Sequence, residues 1–122
     1  MSANRTRIAV VGAGAVGSTI SYAVMLKGLV REIVLVDSVP LKAQAEAMDL
    51  MHGSMFLPRV QVTAGPLEDC SGSSVVVVTA GAKQKPGQTR LQLVETNAAL
   101  YRELVPRIFS AAPNALLLVF RF

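Results

Sequence analysis

Three spaced glycines near the N-terminus set the strongest limit on how this chain can fold. Gly12, Gly14 and Gly17 form the pattern G-x-G-x-x-G. The apolar stretch Arg7–Val11 before them is typical of a buried parallel strand, and Gly17–Lys27 after them carries small and apolar residues at helical spacing. A strand, a glycine turn and a helix in this order predict the opening of a β-α-β unit.

Short apolar runs alternate with helical patterns along the rest of the chain, and the β-branched run SVVVVT is the clearest of the strands. The predicted strands are Arg7–Val11, Glu32–Asp37, Val60–Thr63, Ser74–Thr79 and Ala115–Val119. The predicted helices are Gly17–Lys27, Leu41–Met51 and Leu91–Ala111. Because Pro106 lies inside the last of these, we expect that helix to kink or to divide in two. The alternation predicts the α/β class, with a doubly wound parallel sheet and right-handed crossovers.

The length of the chain bounds its domain organisation. A chain of 122 residues suits one domain, and 52% hydrophobic residues are enough for a sizeable core, so we assign residues 1–122 to one domain or to part of one. Only Phe120-Arg121-Phe122 ends the chain after the last predicted strand, so the sheet is cut off after its fifth strand. Soluble domains rarely finish on an apolar strand that belongs inside a sheet. We expect either that a partner chain covers this end or that the chain is the front part of a longer protein.

An acidic residue completes the glycine pattern. Asp37 follows Gly17 by twenty residues, at the end of the second predicted strand, and this context is the dinucleotide-binding fingerprint of a Rossmann-type domain. Gly12 allows the tight turn, Gly14 lets the backbone approach a pyrophosphate at the helix N-terminus, and Gly17 packs helix against strand. The Asp37 carboxylate can accept hydrogen bonds from ribose hydroxyls and would repel a 2′-phosphate, which favours NAD over NADP. Lys42 either reaches the adenosine end or is a solvated lysine on a helix face.

A polar loop with two glycines follows the fourth predicted strand, over residues 79–90. It leaves the carboxyl end of that strand, which is the edge where open α/β sheets bind ligands. Gly81 and Gly87 suit a mobile lid, and Arg90 offers a positive charge to a polarised carbonyl or to a carboxylate. The alternative is a solvated loop whose arginine has no ligand.

Composition excludes several classes of function. The 12 Lys and Arg residues outnumber the 8 Asp and Glu residues, but they are scattered and aromatics make up only 5%, so we expect no nucleic-acid partner. No apolar run approaches the roughly 18–20 residues of a membrane helix, and we expect no metal site. Cys70 is the only cysteine, which allows no internal disulfide and favours a reducing, cytoplasmic compartment. A lone cysteine of this kind suits a buried apolar position better than a nucleophile.

Three segments of the chain resemble a known family. They are GAGAVGSTISYAVMLKGLVREIVLVD, KAQAEAMDLMHG and VVVVTAGAKQKPGQTRLQLVETN, and they look like the N-terminal half of bacterial L-lactate dehydrogenases. The resemblance runs from about Arg7 to Val119, and its loop motif is more specific than the glycines. It implies NAD-dependent interconversion of pyruvate and L-lactate in the cytoplasm, typically by a homotetramer.

The resemblance also implies roles for individual residues. The glycine turn would hold the pyrophosphate, Asp37 the adenine ribose, and the start of the polar loop the nicotinamide side, with Asn97 also approaching the cofactor. Arg90 matches the arginine that polarises the substrate carbonyl in the transition state. The cofactor-binding residues expected are Gly12, Gly14, Ala15, Val16, Gly17, Asp37, Lys42, Gly81, Ala82 and Asn97.

Gln84 occupies the position that separates the two nearest groups of relatives. Malate dehydrogenases have arginine there, because the second carboxylate of their substrate needs a cationic partner. Glutamine suits the methyl group of pyruvate, so the resemblance favours lactate. A malate dehydrogenase or another 2-hydroxyacid dehydrogenase is the alternative among enzymes.

Parts of the family's pattern are absent. The last strand of the family continues into Ser-Asn-Pro, where this chain has Phe120-Arg121-Phe122. Three groups of the family lie in its second half: the catalytic histidine, its aspartate partner and the arginine that binds the substrate carboxylate. His52 of this chain lies in a different motif, DLMHG, from that of the family's catalytic histidine. We therefore expect the 122-residue chain alone to be inactive or nearly so. Outside the enzymes, the alternative is a non-catalytic NAD-binding module or remnant that meets partners through its apolar end, residues 115–122.

Overall fold

The computed structural model describes residues 6–53, 60–82 and 84–120, which form five strands and three α-helices. The strands are β1 (Arg7–Val11), β2 (Glu32–Val36), β3 (Gln61–Ala64), β4 (Val75–Val78) and β5 (Leu116–Val119). The helices are α1 (Ala15–Lys27), α2 (Pro40–His52) and α3 (Arg90–Ala111), and a short 3₁₀ helix, Leu67–Cys70, lies between β3 and β4. Every predicted strand and helix is present, and the ends differ from the prediction by at most two residues.

All five strands are parallel and form one sheet in the order β3-β2-β1-β4-β5. The chain begins in the middle of the sheet, moves outward to β3, and then crosses to the other side of β1 to form β4 and β5. Val11 at the end of β1 lies beside Val36 of β2 and Val78 of β4. The strand order therefore reverses between β1 and β4, and ligands of α/β sheets bind at the carboxyl edge beside such a reversal.

Helices cover both faces of the sheet, because the inner strands are apolar on both sides. Alternate residues of β1 point to opposite faces. Ile8 and Val10 belong to the core that includes α1 and α2, whereas Ala9 and Val11 belong to the core that includes Ile108 of α3. This arrangement confirms the predicted α/β class and the doubly wound parallel sheet.

Helix α3 runs unbroken through Pro106, so of the two predicted outcomes, a kink or a division, the division does not occur. Proline has no N–H to donate to the carbonyl of residue 102, one turn earlier. Arg102 and Pro106 are both exposed, so water can bond to that carbonyl and the helix continues. The apolar side chains of this helix are only partly covered, since Ile108 is buried while Val94 and Leu100 are exposed.

Strand β5 is the less covered edge of the sheet. Leu116 is 61% exposed, and Leu118, Val119 and Phe120 are exposed as well. The predicted apolar end is therefore open to solvent as far as residue 120, while residues 121 and 122 lie outside the described part of the chain.

Candidate functional site

The glycine turn lies at the carboxyl end of β1, and its first residue requires glycine for two reasons. Gly12 has a φ of 111°, a conformation that side chains disfavour, and its N–H donates to the Val36 carbonyl at 2.7 Å. A Cβ at this position would lie 2.6 Å from Thr79 Oγ1 and 2.8 Å from the Ala80 nitrogen. The turn is thus closely packed between the ends of β2 and β4.

The other two glycines differ in the space around them. A Cβ on Gly17 would lie 1.9 Å from the Gly12 carbonyl oxygen, so helix α1 packs directly on the turn. A Cβ on Gly14 would meet no atom of the described residues within 4 Å. Gly17 therefore allows the close packing of the turn against α1, whereas Gly14 leaves open space at the N-terminus of the helix, as an approaching pyrophosphate requires.

The first turn of α1 presents backbone N–H groups without a side-chain cap. Gly14 is the N-cap residue, it makes no side-chain hydrogen bond, and the first turn contains no acidic residue. The first hydrogen bond of the helix joins the Ser18 N–H to the Gly14 carbonyl at 2.9 Å. The N–H groups of Ala15, Val16 and Gly17 precede it and lie at the positive end of the helix, where an anion is stabilised.

Asp37 follows β2 directly, and its carboxylate holds the glycine turn. Oδ2 accepts from the Ala13 N–H at 2.7 Å, and Oδ1 accepts from the Val39 N–H at 2.9 Å, just before α2 begins. A carboxylate accepts about four hydrogen bonds, so further acceptor positions remain for ribose hydroxyls. The sequence pattern did not predict the bond to Ala13. Lys42 lies in the first turn of α2 with an exposed side chain, and its contact with the adenosine end stays a prediction.

Thr79, which the sequence analysis did not single out, joins the polar loop to the glycine turn. Its Oγ1 donates to the Gly12 carbonyl at 3.0 Å, and its N–H donates to the Val11 carbonyl at 2.8 Å. The sequence feature that could have identified Thr79 is its position immediately after β4. This strand lies beside β1 where the strand order reverses. The turn is thereby bonded to both strands that flank β1.

The start of the polar loop is bonded to helix α3. The Tyr101 hydroxyl donates to the Ala80 carbonyl at 2.5 Å, and the Ala82 N–H donates to Asn97 Oδ1 at 2.8 Å. Asn97 is only 2% exposed. The structure therefore brings Asn97, which was expected to approach the cofactor, to Gly81 and Ala82, which were expected on the nicotinamide side. It also adds Tyr101, which was not predicted from the sequence.

The two residues expected to meet the substrate lie further along the same segment. Gln84 is exposed, and its Nε2 donates to the Gln88 carbonyl at 2.8 Å within the loop. Arg90 is the first residue of α3 and is also exposed. Arg90 precedes Asn97 by seven residues, or about two helical turns, so both lie on one face of α3. The predicted lid includes Lys83, which lies outside the described residues, and its motion stays a prediction.

Two other residues considered in the sequence lie apart from this edge. Cys70 is buried, which raises the pKa of its thiol to about 11, so it is a neutral packing residue as predicted. His52 ends α2, which starts beside the carboxyl end of β2 and runs back toward the opposite edge. Within residues 6–53, 60–82 and 84–120, no three His, Cys, Asp or Glu residues are grouped to hold a metal ion. No helix in this part of the chain is long and apolar enough to span a membrane.

The glycine turn, the helix N-terminus and the carboxylate after β2 meet at one crevice of a parallel sheet, which defines a dinucleotide-binding domain. A family model described as the NAD binding domain of lactate/malate dehydrogenase matches residues 6–121. The chain belongs to this family, and NAD is the cofactor that the family binds. The resemblance found in the sequence is confirmed.

Several relatives match nearly the whole chain but extend well beyond it. An L-lactate dehydrogenase of Clostridium botulinum is 47% identical over 116 residues, which cover 95% of this chain and 36% of that protein. L-lactate dehydrogenase 1 of Clostridium acetobutylicum is 49% identical over 114 residues, or 93% of this chain and 36% of that protein. The chain thus spans about a third of the length of these relatives.

Solved structures agree with this assignment. A lactate dehydrogenase from a Medee basin deep-sea metagenome library is 42% identical, with a TM-score of 0.89 over 94% of this chain and 37% of that chain. The minor L-lactate dehydrogenase from Enterococcus mundtii, in its ligands-bound form, is 39% identical, with a TM-score of 0.89 over 93% of this chain and 37% of that chain.

Proposed function

We propose that residues 1–122 are the NAD-binding part of an L-lactate dehydrogenase, whose full-length form transfers a hydride between NADH and pyruvate to give L-lactate. The observation that carries the proposal is the junction of the glycine turn, Asp37 and the polar loop at one edge of the sheet. The names of the relatives support lactate as the product, since each of the four described above is a lactate dehydrogenase.

NAD fits the residues that this crevice presents. The open space at Gly14 and the uncapped N–H groups of residues 15–17 would hold the pyrophosphate, and the remaining acceptor positions of Asp37 would hold the adenine ribose. Lys42 would lie toward the adenosine end. Gly81, Ala82 and Asn97 would line the nicotinamide side. When bound, the cofactor supplies or accepts the hydride.

The substrate would be held beyond the nicotinamide side by the polar loop. The Arg90 guanidinium carries a permanent positive charge, and beside the carbonyl oxygen of pyruvate it would stabilise the negative charge that develops there. Gln84 is neutral and would accommodate the methyl group, whereas it offers no cation to a second carboxylate. The same neutral side chain makes a malate or other 2-hydroxyacid dehydrogenase the weaker alternative.

A complete catalytic cycle also needs groups that the sequence analysis assigned to the family's second half. A proton donor for the carbonyl oxygen contributes about 10²–10⁴ in rate, and an arginine on the substrate carboxylate provides orientation. We therefore expect the 122-residue chain alone to bind NADH without reducing pyruvate at an appreciable rate. The full-length enzyme is proposed to be a cytoplasmic homotetramer.

One feature supports a different class of protein. The exposed residues of β5 form an apolar edge, which a non-catalytic NAD-binding module could use to bind a partner. The two proposals differ in one measurement, because only the dehydrogenase, in its full-length form, would oxidise NADH with pyruvate. In that assay, oxaloacetate as the preferred substrate would instead identify the malate dehydrogenase alternative.

The first experiment is a titration of the purified chain with NADH and with NADPH, followed by the fluorescence of the cofactor. The chain contains no tryptophan, so this signal is free of energy transfer from indole. Saturable binding of NADH with much weaker binding of NADPH is expected, because Asp37 would repel the 2′-phosphate. Failure to bind either cofactor would contradict the proposed site.

A further inference from the structure

Helix α3 holds the start of the polar loop at two points. The Tyr101 hydroxyl donates to the Ala80 carbonyl at 2.5 Å, and Asn97 Oδ1 accepts from the Ala82 N–H at 2.8 Å. Residues 97 and 101 are one helical turn apart and lie on the same face of α3. Gly81 lies between the two bonded residues, so its backbone position is set from both sides.

These two hydrogen bonds from α3 lie beyond the end of β4, where strand pairing no longer fixes the path of the backbone. The last residue of this segment bonded to β1 is Thr79, whose N–H donates to the Val11 carbonyl. Gly81 and Ala82 are exposed, and among the residues that the structure describes a Cβ on Gly81 would have only Asn97 Oδ1 within 4 Å, at 3.6 Å. The backbone after residue 79 therefore depends on α3 for its position.

The two side chains are themselves well placed to act as rigid supports. The Tyr101 ring packs against the core that contains Ile108, and its hydroxyl reaches out of that core to the loop. Asn97 is 2% exposed, so its amide has little freedom to turn away from Ala82. A fixed donor and a fixed acceptor reduce the cost of ordering the loop when a ligand binds.

We propose that Tyr101, together with Asn97, is a positioning residue for the nicotinamide half of NAD. It fixes the Ala80 carbonyl and thereby the backbone of Gly81 and Ala82, which the proposed function places on the nicotinamide side. This inference rests on the proposed function. It makes a distinct statement, because it concerns one half of the cofactor and a residue that would not touch the adenosine half.

The test compares NADH with ADP-ribose, which lacks the nicotinamide ring, by isothermal titration calorimetry on the 122-residue chain. Tyr101→Phe removes the hydroxyl and keeps the packed ring. We expect NADH to bind about three- to tenfold more weakly, the effect of one net hydrogen bond, while ADP-ribose binds within twofold of wild type. The matched control is Tyr22→Phe, at an exposed position on α1, and it should change neither affinity.

The outcomes separate this inference from the proposed function. If wild type binds neither ligand, the proposed function is contradicted. If wild type binds both and Tyr101→Phe leaves NADH unchanged, the positioning role is wrong while the cofactor site stands. An equal loss for NADH and ADP-ribose would also overturn the role, because it would indicate a general structural effect, and thermal unfolding of the variant would register that effect independently.

Discussion

The structure makes a sharp distinction between two glycines of the same turn. Gly17→Ala would place a Cβ 1.9 Å from the Gly12 carbonyl oxygen, whereas real Cβ atoms essentially never approach closer than 3.0 Å. To relieve this clash, the Cβ and the Gly12 oxygen must move apart by at least 3.0 − 1.9 = 1.1 Å. The Gly12 oxygen is a backbone atom and the Cβ position is fixed by the backbone of α1, so α1 must move away from β1 or the turn must change shape. Overpacking of this kind costs about 3 kcal/mol.

The substitution Gly14→Ala creates no such steric clash. In the described part of the chain a Cβ there has no neighbour within 4 Å, and the φ of Gly14, −80°, is ordinary for alanine. Alanine is a poorer N-cap residue than glycine, but it also reduces the conformational freedom of the unfolded chain. Because these two effects oppose each other, we expect the free energy of unfolding to change by no more than about 1 kcal/mol. The added methyl group would, however, occupy the space proposed for the pyrophosphate.

The assay is thermal unfolding by circular dichroism, paired with NADH titration. We expect Gly17→Ala to unfold roughly 10 °C below wild type, given the stability loss and the size of the chain. Gly14→Ala should unfold within a few degrees of wild type and yet lose NADH affinity. The argument from packing would be refuted if the two variants unfolded at the same temperature, or if Gly17→Ala were as stable as wild type.

Substitutions at three further positions test bonds and burial elsewhere. Thr79→Val removes the hydroxyl that donates to Gly12, so we expect a loss of about 1 kcal/mol in urea unfolding that Thr79→Ser largely restores. Asp37→Asn keeps only one oxygen for two N–H donors, so both stability and NADH affinity should fall, and unchanged unfolding would contradict the observed bonds. The Cys70 pKa is raised by burial from 9.0 to about 11, so the folded chain retains this proton where the unfolded chain loses it. The free energy of unfolding should therefore fall more steeply between these pH values in wild type than in Cys70→Ala.

Much of the fold could be predicted because each element has a local signature. The buried strands are short, apolar and β-branched, and α1 is followed by Gly28, whose φ of 62° is the left-handed conformation in which a glycine commonly ends a helix. The continuity of α3 through Pro106 could not be predicted in this way. It depends on whether the freed carbonyl reaches water, which is a property of the packed structure and not of the residue type.

The candidate site was predictable to the extent that its residues are close in sequence or stand at a fixed spacing. The glycines and Asp37 belong to one β-α-β unit, so their spacing alone indicates a shared site. Thr79 bonds to a residue 67 positions away, and Tyr101 to one 21 positions away. Such pairings require the strand order, because only the placement of β4 beside β1 brings the polar loop to the glycine turn.

These long-range bonds explain how a flexible glycine sequence can form a defined binding surface. Glycines permit the turn but also lose the most conformational freedom on folding, so they do not fix its shape by themselves. The shape is set from β2, through the Asp37 carboxylate on the Ala13 N–H, and from β4, through the Thr79 hydroxyl on the Gly12 carbonyl. Because both flanking strands hold the turn before a ligand arrives, little ordering is left for the cofactor to impose. In this chain the shape of the turn therefore depends on partners from both flanking strands as well as on the three glycines.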